Sequence, residues 1–361
     1  MGEGGEVREH QAGVTRPIFH NVPFRESVTF RTKYTPSDTV AGPSKQARAQ
    51  SLRFMEVFDY VVALKIFAAG SLVYGAVLFI LIRFQRAFLF QNRLPIFRTL
   101  EAKEFASAHF AMTTADGETL DAVWLIACGP PCAALLYLHG NATNLNHRMP
   151  RIQALSALGF SVLAIDWRGF GNSTGTPSQA GCQLDAEAAL QWLAHRADLS
   201  KTVVLAESLG AGVAVELVAK HMVGALVLQA PFSSAVDVAK AFLPIFPIRK
   251  LMIDQFRSDL LIQDIRTSLL IQHGRSDWVV PFRFGKRLYA RAPEPKRFIG
   301  YVGGGHNDLP EKHDSYRDLK RFVLECFDMS MGASTAIRAS PAAPAPPAAT
   351  PPRRRDDCSE G

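Results

Sequence analysis

Residues 61–82 are apolar almost without interruption, with Lys65 the one charge among them. About 22 helical residues at 1.5 Å each reach the roughly 30 Å of a hydrocarbon core. A helix buried in a globular core usually keeps a polar stripe, and residues 66–82 have none. The run therefore predicts one membrane-spanning helix, with Lys65 snorkelling from near one end. The stretch 83–90, Arg-Phe-Gln-Arg-Ala-Phe-Leu-Phe, mixes cations with aromatics and is expected to lie along the bilayer surface, so that 55–99 reads as span plus interfacial anchor. Lys45, Arg48 and Arg53 precede the span while Arg83, Arg86, Arg93 and Arg98 follow it. This small excess leans toward a cytoplasmic C-terminal domain and leaves the side of the membrane open. A cleaved signal is disfavoured by the late start of the run, an objection that translation from Met55 would weaken.

The rest of the chain is bounded by composition. With 361 residues, 48% hydrophobic and 20% charged, it is neither wholly disordered nor a multi-span protein. The net charge of +7 is spread among nearly as many acids, with one short basic run at 353–355, so no nucleic-acid partner is expected. Residues 1–54 are polar and aperiodic and are expected to form a disordered tail. Glu6 stands where N-myristoylation would want Ser or Thr. Residues 329–361, nearly all Pro and Ala from 340 to 352, are expected to form a second disordered tail. Five cysteines in no regular spacing do not make a disulfide framework, and Cys128 and Cys132, which bracket a Gly-Pro-Pro turn, are expected to be free thiols, with a bridge between them the alternative. No zinc motif is present, and no metal or organic cofactor is expected.

Beyond residue 100 short apolar runs alternate with amphipathic segments, the pattern of a mostly parallel α/β sheet. Candidate strands are 121–126, 133–138, 161–166, 202–206, 225–230, 268–273 and 297–302; candidate helices are 152–158, 182–194, 210–222, 284–290 and 311–327. The domain is placed at 100–328.

The candidate chemistry sits at the ends of those strands. Val203-Val204-Leu205-Ala206-Glu207-Ser208-Leu209-Gly210 is a strand running into a small-residue helix start, with a serine at the junction. A nucleophile elbow, Gly-Xaa-Ser-Xaa-Gly, needs small neighbours because the serine occupies a strained turn; here Ala206 replaces the first glycine and Gly210 keeps the second. A helix-capping serine is the alternative. His139-Gly140-Asn141-Ala142 follows a strand as an oxyanion loop would, so the amides of Asn141 and Leu209 are the candidate donors to a developing oxyanion. His139 itself, and Asp166 and Arg168 after the next strand, are expected to be structural. A serine hydroxyl needs an imidazole to take its proton and an acid to orient that imidazole, and Asp277 and His306 follow two later strands in that order. Asp237 is the reserve acid.

On these residues the segment 100–328 resembles the α/β-hydrolase superfamily in its serine-hydrolase branch, and in particular a membrane-anchored group with a His-Gly-Asn-Ala oxyanion loop and a Gly-His-Asn-Asp histidine motif. The resemblance implies an α/β-hydrolase fold with helices on both faces of the sheet. It also implies Ser208 as nucleophile, His306 as general base and then acid, Asp277 as its orienter, and Asn141 and Leu209 as oxyanion hole. The expected activity is cleavage of ester or thioester bonds, with amides a further option, in a small-molecule or lipidated acyl substrate. The apolar segment 232–265 falls where a lid would lie. A competing expectation, motivated by Ala206 and the long tails, is an inactive hydrolase-fold scaffold that binds partners at the membrane.

Overall fold

The computed structural model describes residues 44–92 and 109–327. The two expected tails, apart from residues 44–54, and the second half of the expected anchor lie outside the described residues. The described residues fall into two units, one ending at Ala69 and the other beginning at Gly70.

Helix α1 runs from Lys45 to Leu89, buries none of its side chains, and is long and apolar enough to cross a membrane. Its first turns correct the expectation of an unstructured stretch up to residue 54. Lys, Gln, Ala, Arg and Leu dominate 45–53, and their high helix propensity carries the helix back through polar sequence.

The second unit is built on an eight-stranded sheet in the order β1-β2-β4-β3-β5-β6-β7-β8. The strands are β1 (His109–Thr113), β2 (Thr119–Leu125), β3 (Ala133–Leu138), β4 (Phe160–Ile165), β5 (Thr202–Glu207), β6 (Ala225–Gln229), β7 (Ser268–Gly274) and β8 (Lys296–Tyr301). Pairing is antiparallel among β1, β2 and β4 and parallel from β4 through β8. The period-2 rule sorts the central strands into two cores. Leu136, Val204, Leu226 and Ile271 face one side, together with helices α3 (Gln179–Ala194) and α4 (Leu209–Lys220). Leu135, Val203, Val227 and Leu270 face the other, with α2 (Leu145–Ala157) and α10 (Ser315–Cys326). Both faces of the central strands are buried, which is why these strands read as continuous apolar runs.

Strand β1 has no counterpart among the candidate strands. It is a five-residue edge strand with half-exposed positions, too short and too mixed to show a period. The expected helix at 311–327 is two, α9 (Leu309–Lys312) and α10, separated at His313 and Asp314. Between β6 and β7 the chain forms three short helices, α5 (Ala235–Phe242), α6 (Ile248–Leu251) and α7 (Ser258–Leu261), and α8 (Phe282–Arg291) follows β7.

The end of α1 belongs to this unit. Leu78, Leu81, Gln85 and Leu89, three or four residues apart, are half-buried, and Leu78 and Leu81 pack on Val236, Phe246 and Ile248. Gln85 donates to the carbonyl of Leu251 at 3.3 Å and accepts from the amide of Ile253 at 2.8 Å. Arg86 Nε lies 2.7 Å from buried Asp254. Phe90, expected at the bilayer surface, is 1% exposed inside the sheet's core, where its burial contributes about 1.5–3 kcal/mol. The stretch after residue 83 is thus in good part a docking segment for the domain. Its aromatic-cationic composition suits either role, and only the tertiary packing separates them.

Candidate active site

Ser208 occupies the tip of the turn from β5 into α4. Its φ of 50° and ψ of −110° lie outside the regions open to ordinary L-residues, so surrounding packing must hold it there. Part of that packing is the close approach of α4 to β3. A Cβ on Gly210 would stand 2.3 Å from the carbonyl oxygen of Leu138, so only glycine fits. Ala206, fully buried and paired with Leu138 and Leu228, carries its methyl within the core. The departure from the elbow pattern therefore falls where a small side chain is accommodated.

Three of the expected site residues come together in a line. His306 Nε2 is 3.1 Å from Ser208 Oγ, and His306 Nδ1 is 2.7 Å from Asp277 Oδ2. Asp277 Oδ1 accepts from the amides of Val279 (2.9 Å) and Val280 (2.8 Å), which fixes the carboxylate in the turn after β7. Its burial opposes ionisation, but hydrogen bonds from His273 and His306 and the backbone amides prevail and bring its pKa down to about 2. An ionised carboxylate can only accept, so His306 Nδ1 carries the proton and Nε2 presents a lone pair toward the serine. The loop bearing His306 is held by the Gly305 amide donating to Asp308 at 2.7 Å.

Asn141 lies in the loop after β3 and lines the same space as Ser208 and Leu209. Its side chain donates to the carbonyl of Leu89, and its own carbonyl accepts from Gln91, so the segment that follows α1 holds this loop in place. Leu209 is the first residue of α4, where amides have no acceptor inside the helix and the helix dipole favours negative charge. Asp237 is elsewhere: it sits in the first turn of α5, accepting from Ser233 and paired with Arg287. His139 is fully buried, bonded to the Gly140 carbonyl and 3.3 Å from Asp166, and Arg168 pairs with Asp116 and Asp185. Cys128 and Cys132 are free thiols. Among the described residues no cluster of three His, Cys, Asp or Glu is placed to hold a metal ion.

Two hollows meet at Ser208. One, about 450 Å³, is apolar and walled by Leu81, Ile82 and Phe88 of α1, by Phe232, and by Leu243 and Leu251 from the segment between β6 and β7. The other, about 610 Å³, is the more polar of the two and includes Arg148, Arg151, Glu207, Trp278 and His306. Glu207 is buried, yet its carboxyl is held below the usual range because Arg151 and Arg148 outweigh the cost of burial. Neither the cavity wall from α1 nor this ion cluster was foreseen from the sequence. Both join segments more than 50 residues apart, and no local pattern marks such pairs. His273, 3.3 Å from Asp277, was likewise missed, although the strand-ending His-Gly before the acid was visible.

Comparison with known proteins agrees with this architecture. A sequence profile described as the alpha/beta hydrolase fold matches residues 133–263. The uncharacterized protein Rv2307c of Mycobacterium tuberculosis is 35% identical over 271 residues, covering 73% of this chain and 95% of that protein. The lysophosphatidylserine lipase ABHD12 of Bos taurus is 36% identical over 204 residues, covering 50% of this chain and 51% of the lipase. Among solved structures, an esterase of Pyrococcus furiosus superposes with a TM-score of 0.52 at 20% identity, covering 65% of this chain and 97% of the esterase. At that identity the likeness concerns the fold alone.

Proposed function

The chain belongs to the α/β-hydrolase superfamily, and from that premise we propose that it is a membrane-tethered serine hydrolase that cleaves carboxylic ester or thioester bonds of acyl lipids or lipidated molecules. The observation that carries this reading is the hydrogen-bonded line Ser208–His306–Asp277 opening onto an apolar cavity. His306 Nε2 takes the Ser208 proton as Oγ attacks the acyl carbon, and the carbonyl oxygen becomes an oxyanion facing the amides of Asn141 and Leu209. The ester C–O or thioester C–S bond then breaks, and His306 returns the proton to the leaving alcohol or thiol. Water, deprotonated by the same imidazole, attacks the acyl-enzyme, the C–O bond to Ser208 breaks to release the acid, and His306 returns the proton to Ser208 Oγ. Asp277 stays ionised throughout and stabilises the imidazolium.

The two hollows support a division of the substrate, with the acyl chain in the apolar cavity and the alcohol or thiol part in the more polar cleft. An amphiphile with one chain fits this division, in keeping with the substrate named for the bovine relative. The membrane tether rests on α1, one of whose faces also walls the acyl cavity.

The test is hydrolysis of a p-nitrophenyl ester series by the full-length protein in membranes. Wild type is expected to turn over medium and long chains, and Ser208→Ala to lose on the order of 10⁶ in kcat. Equal turnover by Ser208→Ala would refute the proposed nucleophile.

A further inference from the structure

We infer that the lid loop 241–248 is embedded in the bilayer alongside α1, so that the acyl cavity fills sideways from the hydrocarbon. This rests on the membrane-tethered reading and adds where substrate enters.

Depth along α1 carries the argument. The uncharged run 66–82 is about 17 residues, or roughly 26 Å of helix, so all of it is needed within the hydrocarbon. Tyr74 lies eight residues from either end of that run, about 12 Å inside its edges. Yet Tyr74 is in contact with the lid: its ring stacks on Phe246 at 5.0 Å and its hydroxyl donates to the carbonyl of Ile245 at 3.3 Å. If α1 spans, this part of the lid shares its depth.

The loop has the chemistry for that position. Ala-Phe-Leu-Pro-Ile-Phe-Pro-Ile carries no charge, and it leaves Phe242 57% and Ile245 72% exposed, an apolar surface that water penalises and lipid does not. Lys240 on one side and Arg249 and Lys250 on the other are exposed cations, placed to reach headgroups. Backbone in hydrocarbon must satisfy its polar groups internally. Pro244 and Pro247 have no N–H to satisfy, and the amides of Leu243, Phe246 and Ile248 bond to Ala239, Leu243 and Phe246 carbonyls. The lid and the end of α1 are also facing walls of the acyl cavity, so a seam between them gives onto lipid.

The test uses the full-length chain in vesicles of phosphatidylcholine with one-fifth phosphatidylglycerol, compared with the same vesicles made from dibrominated phosphatidylcholine. Ile245→Trp is expected to add a blue-shifted emission, absent from wild type, that the brominated lipid quenches. Ile245→Asp, at an exposed position outside the cavity wall, is expected to lose about tenfold or more in hydrolysis of a vesicle-borne long-chain ester and nothing against a soluble short-chain ester. Red, unquenched emission from a protein that still resists alkaline extraction would put the loop in water and overturn the inference while leaving the tether intact. Extraction by alkali would remove the tether and the inference together. Absence of short-ester hydrolysis in wild type would sink the hydrolase reading alone, since quenching reports on the loop without turnover.

Discussion

The two sides of Ser208 are built by opposite means. Toward the polar cleft, the groups that would act on a substrate hang from strand ends: Asp277 follows β7, His306 follows β8, and both are fixed by hydrogen bonds within their own turns. Toward the apolar cavity, the wall is made by α1 and the segment between β6 and β7, elements outside the sheet, held to each other by Gln85, Arg86 and side-chain packing. The contrast separates chemistry from selection. On the proposed function, the sheet fixes the reacting groups for any acyl compound, and α1 with the segment between β6 and β7 selects the chain.

Substitutions on the two sides should therefore fail differently. Beyond loss of the nucleophile itself, the largest effect is expected from Asp277→Asn, which frees the His306 tautomer and should lower kcat on the order of 10⁴ for short and long chains alike. A loss confined to long chains would break the division. Next, Leu81→Trp, which fills the cavity from α1, should cut kcat/KM for long-chain esters by roughly 10- to 200-fold and spare acetyl esters. A uniform fall across chain lengths would show that α1 supports the catalytic groups as well.

Asp254→Ala is expected to cost about 1–3 kcal/mol, because Arg86 and the Gln179 amide both lose a buried acceptor. Chemical denaturation in detergent would measure it, and activity per folded molecule should fall only for long chains. The smallest effect concerns pH. Asp277 has a folded pKa near 2, below its ordinary 3.8, so the stability it contributes is complete above about pH 4 and is lost as the pH falls toward 2. The difference in thermal stability between wild type and Asp277→Asn should then be flat from pH 8 to about pH 4 and change only below. A difference that changes near neutrality would mean that another group controls it.

The same division runs through what could be read from the sequence. Ser208, Leu209, Asn141 and Asp277 were visible because each follows a largely buried strand, whose apolar run marks its own end, whereas His306 follows the half-exposed strand β8 and was marked by the glycines before it. The central strands were legible for the same reason, while the edge strand β1, five residues long and half-exposed, carries no such signal. The wall of the cavity was not legible. Leu81 read as membrane helix and Gln85 and Phe88 as interfacial anchor, and nothing local says that one stripe of this helix docks on the segment between β6 and β7. Phe90 shows the limit most plainly, since an aromatic beside arginines reads as an interfacial anchor and is instead a core residue.

The central claim, that Ser208 is an activated nucleophile, is tested most directly by exposing membranes that carry the full-length chain to a serine-directed fluorophosphonate and locating the adduct by mass spectrometry. One adduct is expected, on Ser208, abolished in Ser208→Ala and slowed by orders of magnitude in His306→Ala. A folded wild type that takes no label, or labels elsewhere, would contradict it and favour the scaffold alternative.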